Sequence, residues 1–554
     1  MKCAVTGTSF AHAEITQELC TLFGLPLPEI SMAESMRRTL AHRNTINIFK
    51  RTCDLSGKAI ISNFPPDSSY KVFGIEAWFS DAWDPLDFGV AYSPTESFFK
   101  QFQRLQQGVP VIALENQNCE NADYCNIVIG IKDSYLAFRA HSNCRDIYCS
   151  YNTRASTDVY YSLYTVKSEK CLYGVHNKFC YDTIGCEYCF NSSSCYFCFS
   201  LEGCQNCLFS SNLKNKQYYL YNKAVTKKEF LEFKSKLNLG NREVLYQAIS
   251  DLKKLRLGSV SRANYVVSCE DCQGNELARC KNCLNCFNGS ESQDLADCIS
   301  FAGGHNNARC FGFAEGCSYC FDCHRIRNAS ECAFMLNSFD VYDCMYCMNM
   351  YSSKHCFGCV GLRNKEYCIL NKQYAPSDYK KLRQEIISRM RETPIEDSSF
   401  QEKPGEFGHF FPAENSYFEY NLSAAQMYWP LPQQSILQRG YGWYEFSEPS
   451  SQDCPEVPRS ISQFDPHKDG KALRSLTTGR TFNILPKIIK QFQEYAVYPI
   501  LEHPIEYLER RASESSYLML DRTSSKSGIP LRSTFSEEVA PRIYSDEEYN
   551  NEFY

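Results

Sequence analysis

The sequence holds no apolar run near the roughly eighteen residues that a bilayer-spanning helix needs. Its opening, MKCAVTGTSF, has no apolar core of the kind a secretory leader carries, so no signal peptide is expected. Also missing are a Walker phosphate loop, a nucleophile elbow, a dinucleotide fingerprint and an H-E-x-x-H helix. With them go the commonest catalytic signatures, and no enzyme activity is expected. Positive charge is not in excess: 58 Lys and Arg against 64 Asp and Glu give a net charge of −6. That disfavours general affinity for nucleic acid or acidic membranes. Tryptophan is scarce at 4 residues, so the aromatic content comes from 37 Tyr and 37 Phe.

What the chain has instead is cysteine, 32 residues in 554. Most lie between Cys119 and Cys368, on a grid. Cys320, Cys332, Cys344, Cys356 and Cys368 are each twelve residues apart, and Cys171, Cys180, Cys189, Cys198 and Cys207 each nine. A short fixed period over so long a stretch points to stacked repeats, here a parallel β-solenoid. Twelve residues per coil, twelve plus nine, or two twelves would all produce the grid. Stacked coils repeat at roughly 4.8 Å, and an inward column then wants small side chains, which Cys supplies as a slim buried hydrophobe. So many thiols without a leader imply a reducing, cytoplasmic setting where disulfides do not persist.

Zinc is the alternative use of the sulfurs. C-x-x-C pairs are the usual half-site of a tetrahedral centre, and Cys269, Cys272, Cys280 and Cys283 form the best candidate set. Thiol redox chemistry is a third use, but a motif repeated so often argues against one tuned pair. Cys323-His324 and His355-Cys356 are sequence neighbours, whose side chains face opposite ways on a strand. Asp81, Asp84 and Asp87, interleaved with Trp78, Trp83 and Pro85, read as a packed turn.

The chain is internally duplicated. Residues from Arg51 match those from Arg522 at a constant offset, with Thr52, Ser56, Gly57, Ser62, Phe64 and Glu76 meeting identical residues. Thr6-Gly7-x-x-Phe10 likewise echoes Thr478-Gly479-x-x-Phe482. In the middle, LKNKQYYLYNK from Leu213 matches LRNKEYCILNK from Leu362, each followed by a helix, the first with a Thr226-x-x-Glu229 capping box. The expected organisation is an N-terminal α+β module (1–115), a first cysteine-rich unit (116–223), bridging helices (224–262) and a second cysteine-rich unit (263–373). A capping helix (374–395), an irregular aromatic-rich strap (396–469) and a C-terminal copy of the first module (470–554) complete it. Helices are expected over Ile15 to Phe23, Met32 to Phe49, Ile488 to Tyr495 and Ile505 to Leu520. Arg37, Arg38, Arg43, Lys50 and Arg51 form a basic cluster on or near one helix, a candidate contact for an acidic partner or for phosphates. A solvated helix face is the plainer reading of the same residues.

The segments RRTLAHRNTINIFKRTCDLSGKAIISNFPPDSSYKVF, WFSDAWDPLDFG, CFGCVGLRNKEYCILNKQY and EFGHFFPAENSYFEYNLSAAQMYWPL carry a resemblance. It extends to TGRTFNILPKIIKQF and RIYSDEEY, and so over nearly the whole chain. Together they resemble the cysteine-rich proteins of candidate-phyla-radiation bacteria. The resemblance implies zinc-finger-like terminal modules but no particular activity. This sequence departs from that pattern, because Cys3 and Cys53 face Thr6 and Ser56 where partner thiols would stand. The C-terminal copy has Ser524, Ser527 and Ser545. Such ends lack the four ligands zinc requires. The expectation is a non-enzymatic scaffold that binds an unknown protein partner or itself, without cofactor. Zinc or thiol chemistry is the alternative, and nucleic-acid association through the basic helices a further one.

Overall fold

The computed structural model describes residues 1–554 apart from 13, 176, 179, 268–273, 276, 279–285, 288–341, 401, 447–455 and 515–517. Over these the chain is α+β, with short strands, many paired in parallel, and flanking helices. It forms two compact units that do not follow sequence order. One holds residues 1–114, 264–444 and 516–520; the other holds 115–263, 445–515 and 521–554. The first cysteine-rich stretch thus belongs with the C-terminal module. The described part of the second belongs with the N-terminal one.

In the unit of residues 115–263, Lys132–Phe138, Arg145–Arg154, Thr157–Val166, Glu169–Leu172 and Tyr181–Ile184 lie side by side in one parallel sheet. Val159 faces Cys171 and Cys171 faces Thr183, a step of twelve residues. Bridges from Val175 to Glu187 to Phe199, and from Lys178 to Phe190 to Glu202, keep that step. Lys132 pairs with Arg145, one residue more. The extra residue sits at Ser142–Asn143, where both φ angles are positive (67° and 60°).

Beneath the twelve lies a period of three. Asp146, Cys149, Asn152, Ala155, Asp158, Tyr161, Tyr164, Lys167 and Lys170 all have φ between 46° and 56°. A non-glycine residue in that left-handed region costs roughly 1–2 kcal/mol, least for Asn and Asp. Asn191, Asn206, Asn212 and Asn215 hold equivalent positions. The residue after each left-handed one is buried and, apart from Ile147, slim: Ile147, Ser150, Thr153, Ser156, Val159, Ser162, Thr165, Ser168 and Cys171. Farther along the same grid Cys180, Cys186, Cys189, Cys195, Cys198, Cys204 and Cys207 pack on one another with Leu201.

This ladder ends in an antiparallel return, Lys223–Ala224 on Gln217–Leu220, and the helix Lys227–Lys236 with its capping box formed. The C-terminal module packs beside it. Tyr161 donates to the Ile500 carbonyl (3.2 Å), Tyr507 donates to the Tyr161 carbonyl (2.7 Å), and Phe492 meets Tyr160 edge-on.

The other unit repeats the plan. Cys344, Cys356 and Cys368 are direct partners across three parallel strands, Tyr342–Met345, Lys354–Phe357 and Glu366–Ile369. Lys372–Gln373 returns antiparallel, and the helix Pro376–Glu392 follows. Aromatic residues of the strap, including Phe400, Phe407, Phe410, Phe411 and Phe418, join Phe98, Phe99, Phe102 and Phe357 in one core. The helix expected from Met32 to Phe49 stops at Ala41. The Asn44 side chain donates to the Asn47 carbonyl and accepts from the Asn47 N–H, the local competition that makes Asn a helix terminator. A strand then begins at Phe49.

Candidate functional site

The buried column of cysteine and serine is the most chemically loaded feature of the chain. Ladder bonds join neighbouring rungs through only two residues of each triplet, as from Glu187 N to the Cys198 carbonyl and from Tyr188 N to the Val175 carbonyl. The third residue's N–H faces the interior. In several rungs it finds the side chain of the interior residue twelve positions earlier: Gly174 N donates to Ser162 Oγ (3.1 Å), Cys180 N to Ser168 Oγ (3.3 Å), Cys204 N to Ser192 Oγ (3.1 Å) and Ala137 N to Cys125 Sγ (3.4 Å). Lys365 N does the same to Ser353 Oγ in the other unit (3.2 Å).

The thiols also donate. Cys180 Sγ reaches the Cys189 carbonyl at 3.0 Å, Cys186 the Cys195 carbonyl at 2.7 Å and Cys198 the Cys207 carbonyl at 3.4 Å. The nine-residue spacing of the sequence is this thiol-to-carbonyl step. Cysteine and serine are small enough for the column and carry both a donor and an acceptor. An unsatisfied buried N–H costs about 1–3 kcal/mol. Ser162→Ala is therefore expected to destabilise its unit by about that amount, while Ser162→Cys loses less. Urea unfolding followed by circular dichroism of the two variants checks the ranking.

Burial pushes the thiols of Cys125, Cys180 and Cys198 up to about 12, far from the thiolate form that reacts or binds metal. In the other unit, Cys344 and Cys359 are also raised by burial. Cys347 goes down, because hydrogen bonds from those two thiols outweigh its own burial. Cys347 is nonetheless fully buried.

The set Cys269, Cys272, Cys280 and Cys283 lies outside the described residues, as do Cys317, Cys320 and Cys323. Among the described residues no group of three or more His, Cys, Asp or Glu is disposed to hold a metal ion. None of their helices is long and apolar enough to cross a membrane.

The terminal modules show what stands where ligands were expected. Cys3 and Cys53 each sit in a tight turn, with the Gly7 and Gly57 N–H bonded to their carbonyls. Cys53 Sγ accepts from the N–H groups of Ser56 and Gly74, both at 3.3 Å. Those bonds, with one from the Ser56 side chain, lower its pKa against the opposing effect of burial. In the C-terminal copy the same turn has Ser524. Its Oγ donates to Glu548 at 2.6 Å, while Glu548 also caps the N–H of Ser545. At the preceding turn Glu506 collects hydroxyls from Ser475, Thr477 and Thr478. A carboxylate ringed by hydroxyls thus fills each centre of the C-terminal copy.

The basic cluster is dispersed by burial. Arg38 and Arg43 are buried, Arg38 on Asp397 (2.7 Å) and over the Phe400 ring. Arg37 pairs with Glu34, and Arg51 holds Asp54 and the Pro65 carbonyl. Lys50 is exposed. The triplet grid was within reach of the sequence, since three, nine and twelve share the factor three. Reading it required treating Ser, Thr, Ala and Val as equivalents of Cys. The partner of Arg38 gave no such signal, lying 359 residues away. No family model, curated protein or solved structure matches the chain.

Proposed function

We propose that the chain is a non-enzymatic scaffold or binding protein in which the parallel ladders wind into two β-solenoids. Each is ended by a capping helix and flanked by one of the duplicated modules. One observation carries this reading: most of the interior thiols and serine hydroxyls among the described residues bond backbone groups of their own or neighbouring rungs, so the sulfur column acts as filling. A step of twelve residues with a left-handed residue every third position supports a four-sided coil. The setting is a reducing one, in keeping with thiols that are buried and reduced. Burial of Arg38 and Arg43 weakens the nucleic-acid alternative. Zinc or thiol redox remains the rival use of the sulfurs.

Thiol labelling mapped by mass spectrometry tests the choice. Under native reducing conditions Cys119, the half-buried member of the first rung, is expected to react first among the described cysteines. Cys186, Cys189, Cys198, Cys344, Cys356 and Cys359 are expected to stay unmodified until denaturation. Stoichiometric zinc in the purified protein, or cysteines of the column oxidised when reductant is withdrawn, would overturn the scaffold reading.

A further inference from the structure

A groove of about 700 Å³ runs along the N-terminal module, and all of its lining residues belong to that module. One wall is the strand Ala59–Ser62, contributing Ala59, Ile60 and Ile61; the other is Ala113 and Leu114, with Ile75 and Ala77 also lining the groove. Successive side chains of a strand point to opposite faces, so a groove touching three consecutive residues follows the strand's edge. Among the described residues this strand pairs only with Phe49–Thr52. The bond from Cys53 N to the Lys58 carbonyl fixes the alternation of that ladder. It turns the N–H and C=O of Ala59 and Ile61 outward, on the same side as Asn63, whose N–H bonds the Ala113 carbonyl at 3.0 Å.

The duplicated module supplies an internal control. At the position of Ala59 it has Pro530, which has no N–H to offer, and at Ile61 it has Arg532. Proline and charge on an edge strand are the usual guards against pairing with another chain. Ile75 corresponds to Asp546, which pairs with Arg262, and Leu55 to Lys526, which pairs with Glu552. The edge is therefore guarded in the C-terminal copy and unguarded in the N-terminal module, whose mostly apolar groove has Lys58 and Glu76 as its charged members. Lys58 lies exposed beside Ala59, where the copy has Ile529.

We propose that this groove binds an extended segment of a partner protein, added as a strand to Ala59–Ser62. Alternate apolar side chains of the segment enter between Ile61, Ile75 and Leu114, and a flanking acidic residue meets Lys58. This deepens the binding role proposed above and rests on it. An open strand edge gives affinity through main-chain bonds, and the flanking apolar wall selects the side chains.

Fluorescence anisotropy of the full-length protein with a labelled decapeptide of alternating Val and Thr, preceded by one Asp, tests it. Saturable binding is expected. Ala59→Pro and Ile61→Arg, which copy the C-terminal module, should each weaken it at least tenfold. Peptide N-methylated at alternate amides should not bind, because the strand bonds are gone. Unchanged thermal unfolding by tryptophan fluorescence establishes that both variants fold. Equal affinity in wild type and variants, or no binding of the unmethylated peptide, would overturn the groove assignment. Either result leaves the thiol-labelling outcome, and with it the scaffold reading, standing on its own.

Discussion

Glu187→Ala is expected to destabilise the unit of residues 115–263 by about 3–5 kcal/mol, the usual cost of orphaning a buried charge. Glu187 sits on the ladder between Val175 and Phe199 and is 5% exposed. Its two oxygens meet Arg511 at 2.7 Å and Arg256 at 3.1 Å. Both guanidiniums also hold Glu514, at 2.7 and 2.8 Å. Truncation leaves two buried cations sharing one partly exposed carboxylate. Glu187→Gln keeps the shape and one acceptor, so a smaller loss is expected.

Burial alone would raise the Glu187 pKa, but Arg511 and Arg256 outweigh it and hold the carboxyl below its ordinary range. A lowered folded-state value contributes stability above the ordinary carboxylate pKa, lost as pH falls through the folded one. Glu187→Gln should flatten that acid limb. All four tryptophans, Trp78, Trp83, Trp429 and Trp443, lie in the other unit. A circular-dichroism transition that moves to lower urea while the tryptophan transition stays put is the expected signature. If both transitions stay where they are in wild type, the cluster does not hold this unit together.

Much of this architecture is written in the cysteines, and part of it is hidden by the duplication that makes the chain legible. The match between Arg51 and Arg522 marks two copies of a module, but like modules give no signal of which cysteine-rich stretch each packs against. The structure settles that through contacts such as Tyr507 on Tyr161 and Phe98 on Phe357. The grid suggested coils of uncertain length. The left-handed residues that set it include Asn, Asp, Tyr, Lys, Cys and Ala, a mixed set with no sequence signature of its own. The sequence marks Cys3 and Cys53 by the Thr6 and Ser56 that face them, not by the tight turns they occupy. Glu506 and Glu548, the carboxylates at the two turns of the copy, give no such signal, because a glutamate at helix position N3 looks like a capping residue. Glu548 does cap Ser545, and it serves both purposes at once.

Acid should unfold the tryptophan-bearing unit early, and two histidines give the reason. His42 is buried among Phe410 and Phe411, and His409 stands edge-on to Phe400. Burial, with Arg38 nearby, lowers His42 to about 3 and His409 to about 4; Asp397 opposes this only weakly at His409. Each imidazole is therefore neutral in the folded chain and must remain so, whereas in the unfolded chain it takes a proton near pH 6.5. The sign follows: the unfolded state binds more protons between the two values, so stability is intact above pH 6.5 and falls as the pH drops toward the folded values. At pH 5 the loss is roughly 2 kcal/mol per histidine, about 4 kcal/mol for both. Glu406, whose carboxyl is pushed up by burial, contributes with the opposite sign. The measure is therefore the difference between wild type and His42→Phe/His409→Phe. Urea titrations at pH 7.5 and pH 5.0, read by tryptophan fluorescence, should show the wild-type midpoint falling steeply and the double variant's barely moving. Equal shifts in the two proteins would mean that neither ring is the group that must stay uncharged.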